Sequence, residues 1–188
     1  MGAYLSGGLD SSSLVALVNR IVPDLFRTFS IGFDDAVLDE TQHQLRMTEH
    51  LRTDNARIQC SLADIATSFP DTIRHAESPV LRTAPTPMRL LSGLVRRSGI
   101  KVVLTGEGAD EVLGGYDIFK EAKVRQFWAR NPASAWRPAL LKRLYPYLDL
   151  TSAQSAAYLR EFFGVGLDHP QDPFFSHLPR WATTAQCK

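Results

Sequence analysis

Ser6-Gly7-Gly8-Leu9-Asp10-Ser11-Ser12 lies between Tyr4-Leu5 and the apolar run Leu14-Val15-Ala16-Leu17-Val18. The order reads as strand, tight glycine turn, then helix. Two adjacent glycines let the backbone turn sharply and approach a ligand, because neither carries a Cβ. Ser11 or Ser12 is expected to cap the new helix, whose free N–H groups and positive dipole end suit an anion. Ser6, Ser11 and Ser12 add hydroxyls and Asp10 a carboxylate. This set suits a polyphosphate that arrives with a divalent cation. An ordinary strand-to-helix turn with capping serines would use some of the same residues; the whole string in this position favours phosphate.

Outward from that stretch, the chain alternates strand and helix. Leu14, Val15, Leu17, Val18 and Ile21 recur at helical spacing, so Ser11 to about Arg20 is expected to be a helix with those residues inward. Pro23-Asp24 ends it. Phe26 to Phe33 alternates and is rich in aromatic and β-branched residues, which predicts a second strand with Gly32 near its C-terminal end. A polar helix follows from Asp39-Glu40-Thr41 to about Leu51, with Leu45, His50 and Leu51 as inner positions. Ala56 to Cys60 reads as a third strand. Ser61-Leu62-Ala63-Asp64 reads as a capping box with Asp in place of Glu. Pro70 is expected to begin a separate helical piece, Asp71 to about Ala76. Glu77 to Pro87, with three prolines, reads as a stiff irregular loop. Met88 to Ser98 is expected as a helix ending at Gly99, and Lys101 to Thr105 as the next buried strand. Strands alternating with helices imply βαβ units and a parallel sheet, with ligands at the C-terminal strand ends.

After Tyr116 the pattern changes. Ile118 to Arg130, Ala133 to Tyr147 and Ala153 to Phe163 have helical periodicity without strands between them, and the tail from Gly164 shows no clear element. The expected organisation is therefore an α/β core over 1–120 and an incomplete helical, loop-rich extension over 121–188. The chain has 188 residues and a net charge of +1, so no global field points to nucleic acid or an anionic membrane. No apolar run approaches a membrane span, and no signal peptide is expected before the first strand. Cys60 and Cys187 suggest no disulfide framework, and no Cys/His cluster has zinc spacing. A cytoplasmic, reduced protein is the expectation. His43, His50, His75, His169 and His177 are scattered and read as structural or surface residues.

Thr105-Gly106-Glu107-Gly108-Ala109-Asp110-Glu111-Val112-Leu113-Gly114-Gly115-Tyr116 follows the last expected strand, which places it on the same sheet edge as Ser6 to Ser12. Its clustered carboxylates repel one another, and a cation shared between Asp10 and Asp110 would relieve that repulsion. Magnesium in nucleotide sites uses one or two carboxylates plus phosphate oxygens. A helix N-terminus that favours acidic residues would account for part of the same stretch.

SGGLDSS resembles the pyrophosphate loop of the PP-loop ATP pyrophosphatase superfamily. TGEGADEVLGGY resembles the second signature of the asparagine synthetase family, which includes β-lactam synthetases. The segment HAESPVLRTAPTPMRLLS, His75 to Ser92, is similar to the loop and helix between those signatures in bacterial members. The resemblance covers about residues 3 to 120. It implies a Rossmann-like adenine nucleotide alpha-hydrolase fold, a parallel sheet with flanking helices. It also implies adenylation of a carboxylate, aspartate first among candidates, by ATP with Mg²⁺, release of pyrophosphate, then attack by ammonia and release of AMP. On this resemblance Ser6, Gly7, Gly8, Leu9, Asp10, Ser11 and Ser12 hold the pyrophosphate. Leu5, Ile31, Gly32, Thr105 and Gly106 lie against the rest of the nucleotide. Asp10 and Asp110 ligand the metal, and Glu107 faces the acyl-adenylate and assists ammonia. β-Lactam synthetases carry tyrosine at that position, so glutamate favours the asparagine branch. Arg82 would hold the substrate's second carboxylate; a surface charge or a structural pair is its other reading.

The chain departs from the family's full-length pattern. Gly2, not cysteine, follows Met1, so the glutaminase domain of the full-length pattern is not expected within these residues. The later segment with a catalytic lysine is also absent. The expectation is an excised portion of a longer amidotransferase, inactive alone, whose native chain carries the glutaminase domain; a homodimer is one candidate assembly. Two alternatives stay open: a nucleotide-binding module without activity, and another PP-loop ligase such as GMP or NAD synthetase, against which GEGADEVLGGY argues.

Overall fold

The computed structural model describes residues 1–22, 26–146 and 152–185. The expected break at Pro23-Asp24, the expected helix end at Tyr147, and Cys187 lie outside the described residues. The chain forms two compact units, Met1–Glu107 and Gly108–Lys188, so the division falls within the second glycine-rich stretch.

The first unit runs β1 (Gly2–Tyr4), α1 (Leu9–Ile21), β2 (Arg27–Phe33), α2 (Thr41–Leu51), β3 (Asp54–Cys60), α3 (Leu62–Ala76), α4 (Pro85–Arg97) and β4 (Val103–Leu104). The sheet order is β3-β2-β1-β4 and every pairing is parallel. This is the expected α/β arrangement. The period-2 pleat sends alternate side chains to opposite faces. Ala3 and Leu5 pack on one face with Val15 of α1, Phe26, and Met47 and Leu51 of α2. Tyr4, Phe29, Ile31 and Ile58 pack on the other with Leu91 and Val95 of α4. The chain steps from β1 outward to β3 and then returns to the opposite side of β1 as β4. That reversal opens a crevice at the C-terminal ends of β1 and β4, the place where ligands bind in open parallel sheets.

Several local expectations are corrected. Helix α1 starts at Leu9, with Gly8 at the N-cap and no side-chain cap. Ser11 and Ser12 are therefore inside the helix and buried, not caps. Leu17 and Ile21 are exposed, because only the Ser11, Ser12 and Val15 stripe turns fully inward. In α2 the buried position is Gln44; Leu45 and His50 are exposed, and Leu51 is half-buried against the core. Pro70 does not split α3, which is continuous from Leu62 to Ala76. Helix α4 begins at Pro85, before Met88, because proline's fixed φ and missing N–H suit a first helical turn. Its end is as expected: Gly99 has φ +73°, its N–H donates to Arg96 O at 3.0 Å, and that of Ile100 donates to Val95 O at 3.3 Å. β4 is shorter than expected and only half-buried, an edge strand in the described sheet.

The second unit contains α5 (Ala109–Leu113), α6 (Asp117–Ala129), a 3₁₀ helix over Arg137–Arg143, α7 (Ala153–Gly164) and α8 (Leu178–Thr184). The 3₁₀ segment replaces the helix expected over 133–147, and α8 occupies part of the tail where no element was expected. Trp128, Leu141, Leu159, Phe163 and Phe175 form its apolar core. Beside that core Arg125 is fully buried, donating to the carbonyls of Phe163 (3.0 Å), Val165 (2.5 Å) and Phe175, with its guanidinium over the Phe175 ring. Glu121 is 1% exposed and takes both guanidinium nitrogens of Arg180, at 2.7 and 2.8 Å, together with the Tyr145 hydroxyl. Among the described residues no helix is long and apolar enough to cross a membrane.

Candidate functional site

The loop from Leu5 to Ser12 leaves the end of β1 and is tied from within. Ser30 Oγ donates to Leu5 O at 2.7 Å in a buried contact, which fixes the exit of the strand. Ser6 Oγ lies 2.8 Å from Ser11 Oγ, the Ser6 N–H donates to Ser11 Oγ at 3.2 Å, and the Gly8 N–H donates to Ser6 Oγ at 3.2 Å. Ser11 Oγ also donates to Gly8 O at 3.3 Å. Serines expected as ligands thus also shape the loop. With no side chain capping α1, the free N–H groups of its first turn remain available to an anion. Ser12 Oγ is buried and has no protein partner, an orphan that a phosphate oxygen would satisfy.

Two glycines show how closely the backbone is packed here. A Cβ on Gly7, whose φ is +89°, would lie 2.7 Å from His43 Cβ and 3.0 Å from Gln44 N. The first turn of α2 therefore sits against the loop. A Cβ on Gly106 would lie 3.0 Å from Ser11 N and 3.2 Å from Asp10 Cβ. The parallel pairing of β1 with β4 brings Thr105-Gly106-Glu107 beside the start of α1. Both signature stretches thus meet at the crevice through Gly106, as their positions after neighbouring strands require.

Thr105 Oγ1 accepts the Glu107 N–H at 3.0 Å, and the Glu107 side chain is exposed. Asp10 is half-buried. Asp110 belongs to the second unit, on α5, with its carboxylate packed against Gly115 and its carbonyl accepting the Gly115 N–H at 3.0 Å. Leu9 and Arg82 are exposed, Arg82 in the loop before α4. At the end of β2, Ile31 O accepts Gln44 Nε2, and buried Gly32 lies under Gln59, Thr41 and Asp39. Asp39 takes the Thr41 hydroxyl at 2.7 Å and the Phe33 N–H at 3.1 Å; these bonds, the hydroxyl first, hold its carboxyl below the usual carboxylate range. Sequence reasoning missed Asp39 and Gln44 as neighbours of the site. A polar residue opening a helix reads as a solvent-facing position, and nothing local reveals that it closes over a strand end.

Among the described residues, no group of three or more His, Cys, Asp or Glu side chains is gathered for a metal ion. A magnesium ion that shares phosphate oxygens needs only one or two carboxylates, and Asp10, half-buried in the first turn of α1, has that donor chemistry. The Ser12 orphan, the uncapped α1 terminus and the backbone packing at Gly7 and Gly106 fit a nucleotide phosphate.

A family described as asparagine synthase matches residues 1–186. The chain is 31% identical over 133 residues to asparagine synthetase 1 (glutamine-hydrolyzing) of Bacillus subtilis, covering 71% of this chain and 21% of that protein. It is 34% identical over 176 residues to amidase chyE of Penicillium rubens, covering 86% of this chain and 25% of that protein. It is 29% identical over 168 residues to asparagine synthetase 2 (glutamine-hydrolyzing) of Lotus japonicus, covering 84% and 27%. The matched region spans about a fifth to a quarter of these curated relatives.

Proposed function

The chain belongs to the asparagine synthase family, and from that premise we propose that it carries the nucleotide site of an ATP-dependent synthetase of the amidotransferase type. The observation that carries this reading is the β1–β4 pairing, which sets Gly106 of the second signature against Asp10 and Ser11 of the first at the switch point of the sheet. A carboxylate is a poor acyl donor, and joining it to AMP supplies a good leaving group. In this proposal the carboxylate attacks the α-phosphorus of ATP, and the bond to the β,γ-pyrophosphate breaks. The α1 N-terminus, Ser6, Gly7, Gly8, Ser11 and Ser12 hold the departing pyrophosphate through N–H and hydroxyl donors. Ammonia then attacks the acyl carbon, AMP leaves, and Glu107 orients ammonia or takes its proton. Magnesium, held by Asp10 and Asp110, would neutralise charge on the phosphates. Arg82 would receive a second carboxylate of the substrate. The ammonia would come from glutamine in a partner domain, as the names of the glutamine-hydrolyzing relatives suggest. The carboxylate we favour is aspartate. The amidase name of the Penicillium relative favours a second reading, another carboxylate at the same site.

Calorimetric titration with Mg-ATP, paired with aspartate-dependent exchange between pyrophosphate and ATP, tests the proposal. Binding and exchange together support it. Exchange driven only by another carboxylate moves the assignment to the second reading. Binding without exchange or AMP release leaves a nucleotide-binding module, and no binding overturns the reading.

A further inference from the structure

Within the second unit, a cavity of about 250 Å³ opens between the C-terminal end of α6 and the segment that joins α7 to α8. Gln126, Ala129 and Arg130 line it from one side, Pro170 and Gln171 from the other. Backbone bonds set the second wall. The His169 N–H donates to Gly166 O and the Asp172 N–H to His169 O, each at 3.1 Å, and the Phe175 N–H donates to Asp172 O at 2.9 Å. On the α6 side, Arg125 and Trp128 are buried, which leaves Gln126 and Arg130 exposed at the cavity. Among the described residues, the Arg130 guanidinium forms no ion pair, hydrogen bond or ring contact, and the carboxamides of Gln126 and Gln171 are equally free. The acids nearest in sequence to Gln171 are engaged elsewhere. Asp168 Oδ2 pairs with His169 Nε2 at 3.3 Å, and Asp172 Oδ1 accepts the Phe174 N–H at 2.7 Å. The negative end of the α6 dipole opposes an anion here. That end is partly covered, since Phe127 O accepts Arg137 Nη1 at 2.8 Å and Trp128 O accepts the Asn131 N–H at 2.9 Å.

A guanidinium fork with no protein carboxylate to fill it fits a planar carboxylate. A primary amide offers both donors and an acceptor, and a second carboxamide complements both. Drug-sized ligands need about 300–1,000 Å³, so this cavity takes only a small one. We propose that the cavity is a binding site for a small carboxylate that also bears a carboxamide. Arg130 takes the carboxylate, Gln126 and Gln171 take the amide, and Ala129 and Pro170 lie against a short aliphatic stem. The site draws on no residue of the nucleotide reading and stands or falls apart from it.

Succinamate, succinate and succinamide are the probes, because they share a two-carbon stem and differ only at their ends. Each is titrated, with NMR shifts as the readout, into the wild-type chain, Arg130→Met, Arg130→Lys, Gln126→Leu and Arg82→Met. The wild type is expected to bind succinamate with millimolar affinity, about tenfold more tightly than succinamide, the effect of one charge-assisted pair. Arg130→Met should remove that advantage. Arg130→Lys keeps the charge without the fork and should recover only part of it; this variant decides should Arg130→Met fail to fold. The wild type should prefer succinamate to succinate, and Gln126→Leu should bring the two together. Arg82→Met should change none of these affinities. The absence of succinamate binding by the wild type, binding that Arg130→Met and Arg130→Lys leave unchanged, or binding lost in Arg82→Met would each overturn the site. Succinate held as tightly as succinamate by the wild type would overturn the proposed ligand class.

Discussion

Gly7 and Gly99 both have positive φ, +89° and +73°, yet their surroundings differ. A Cβ at Gly7 would strike His43 and Gln44, whereas at Gly99 it would meet nothing within 4 Å. Gly99→Ala should cost only the left-handed backbone penalty, about 1 kcal/mol, and leave Mg-ATP affinity unchanged. Gly7→Ala adds a clash with the first turn of α2 and should cost about 2 kcal/mol or more, with a clear loss of nucleotide affinity. Urea melts and titrations of both variants check this, and equal effects at the two positions would remove the role given to close packing at the loop. The tight turn at Gly7 was legible in the sequence because so few residue types serve a positive φ packed against a neighbouring helix. Gln44 was not. A glutamine on a helix reads as solvent-facing, and its burial depends on a strand end that is distant in sequence. Ser11 and Ser12 were misjudged as caps: they lie inside α1, since Gly8 with extended backbone starts the helix without a side-chain acceptor.

At the scale of elements, the capping box of α3 shows a local rule that held. Ser61 Oγ accepts the Asp64 N–H at 3.1 Å, and Asp64 Oδ2 accepts the Ser61 N–H at 2.9 Å. Ser61→Ala should destabilise the first unit by about 1 kcal/mol. The Ser61 hydroxyl first, then its N–H, holds the Asp64 carboxyl below its ordinary value of 3.8. A folded-state pKa below the unfolded one means that this contribution is fully present above the unfolded pKa and is lost as pH falls through the folded one. Urea midpoints of the wild type and Asp64→Ala should therefore differ by a constant amount near neutrality and converge below about pH 4. A gap that persists unchanged to pH 2 would show that the ionised carboxylate is not what stabilises the turn. Strands and the α4 end were legible for the same reason as this box: each is set by residues within one turn or one pleat. The continuity of α3 through Pro70 and the exposure of Leu17, Ile21 and Leu45 were not, because they depend on which neighbours cover each face.

For the whole molecule, the sequence pattern separates a strand-rich part from a helical part, and each of the two compact units has its own core. The second core was the less legible. Glu121 and Arg125 stand four apart on α6, a spacing that ordinarily marks a solvated ion-pair face. Here both are buried, and Arg125 joins α6 to the end of α7 and to the segment before α8 through the carbonyls of Phe163, Val165 and Phe175. Burial pushes the Arg125 guanidinium down to about 10, and the neighbouring Glu121 carboxylate opposes that shift. The residue is costly to bury, yet removing it takes the guanidinium donors away from the carbonyls of Phe163, Val165 and Phe175. Arg125→Met, which keeps the apolar bulk, should therefore destabilise the second unit by about 3 kcal/mol. Hydrogen exchange locates the effect. Protection should fall in Asp117–Ala129, Ala153–Gly164 and Leu178–Thr184 and stay unchanged in Arg27–Phe33, since the lost bonds join only elements of the second unit. An equal loss of protection in β2 would show that the two cores unfold together, and that Arg125 supports the parallel sheet as well as its own unit.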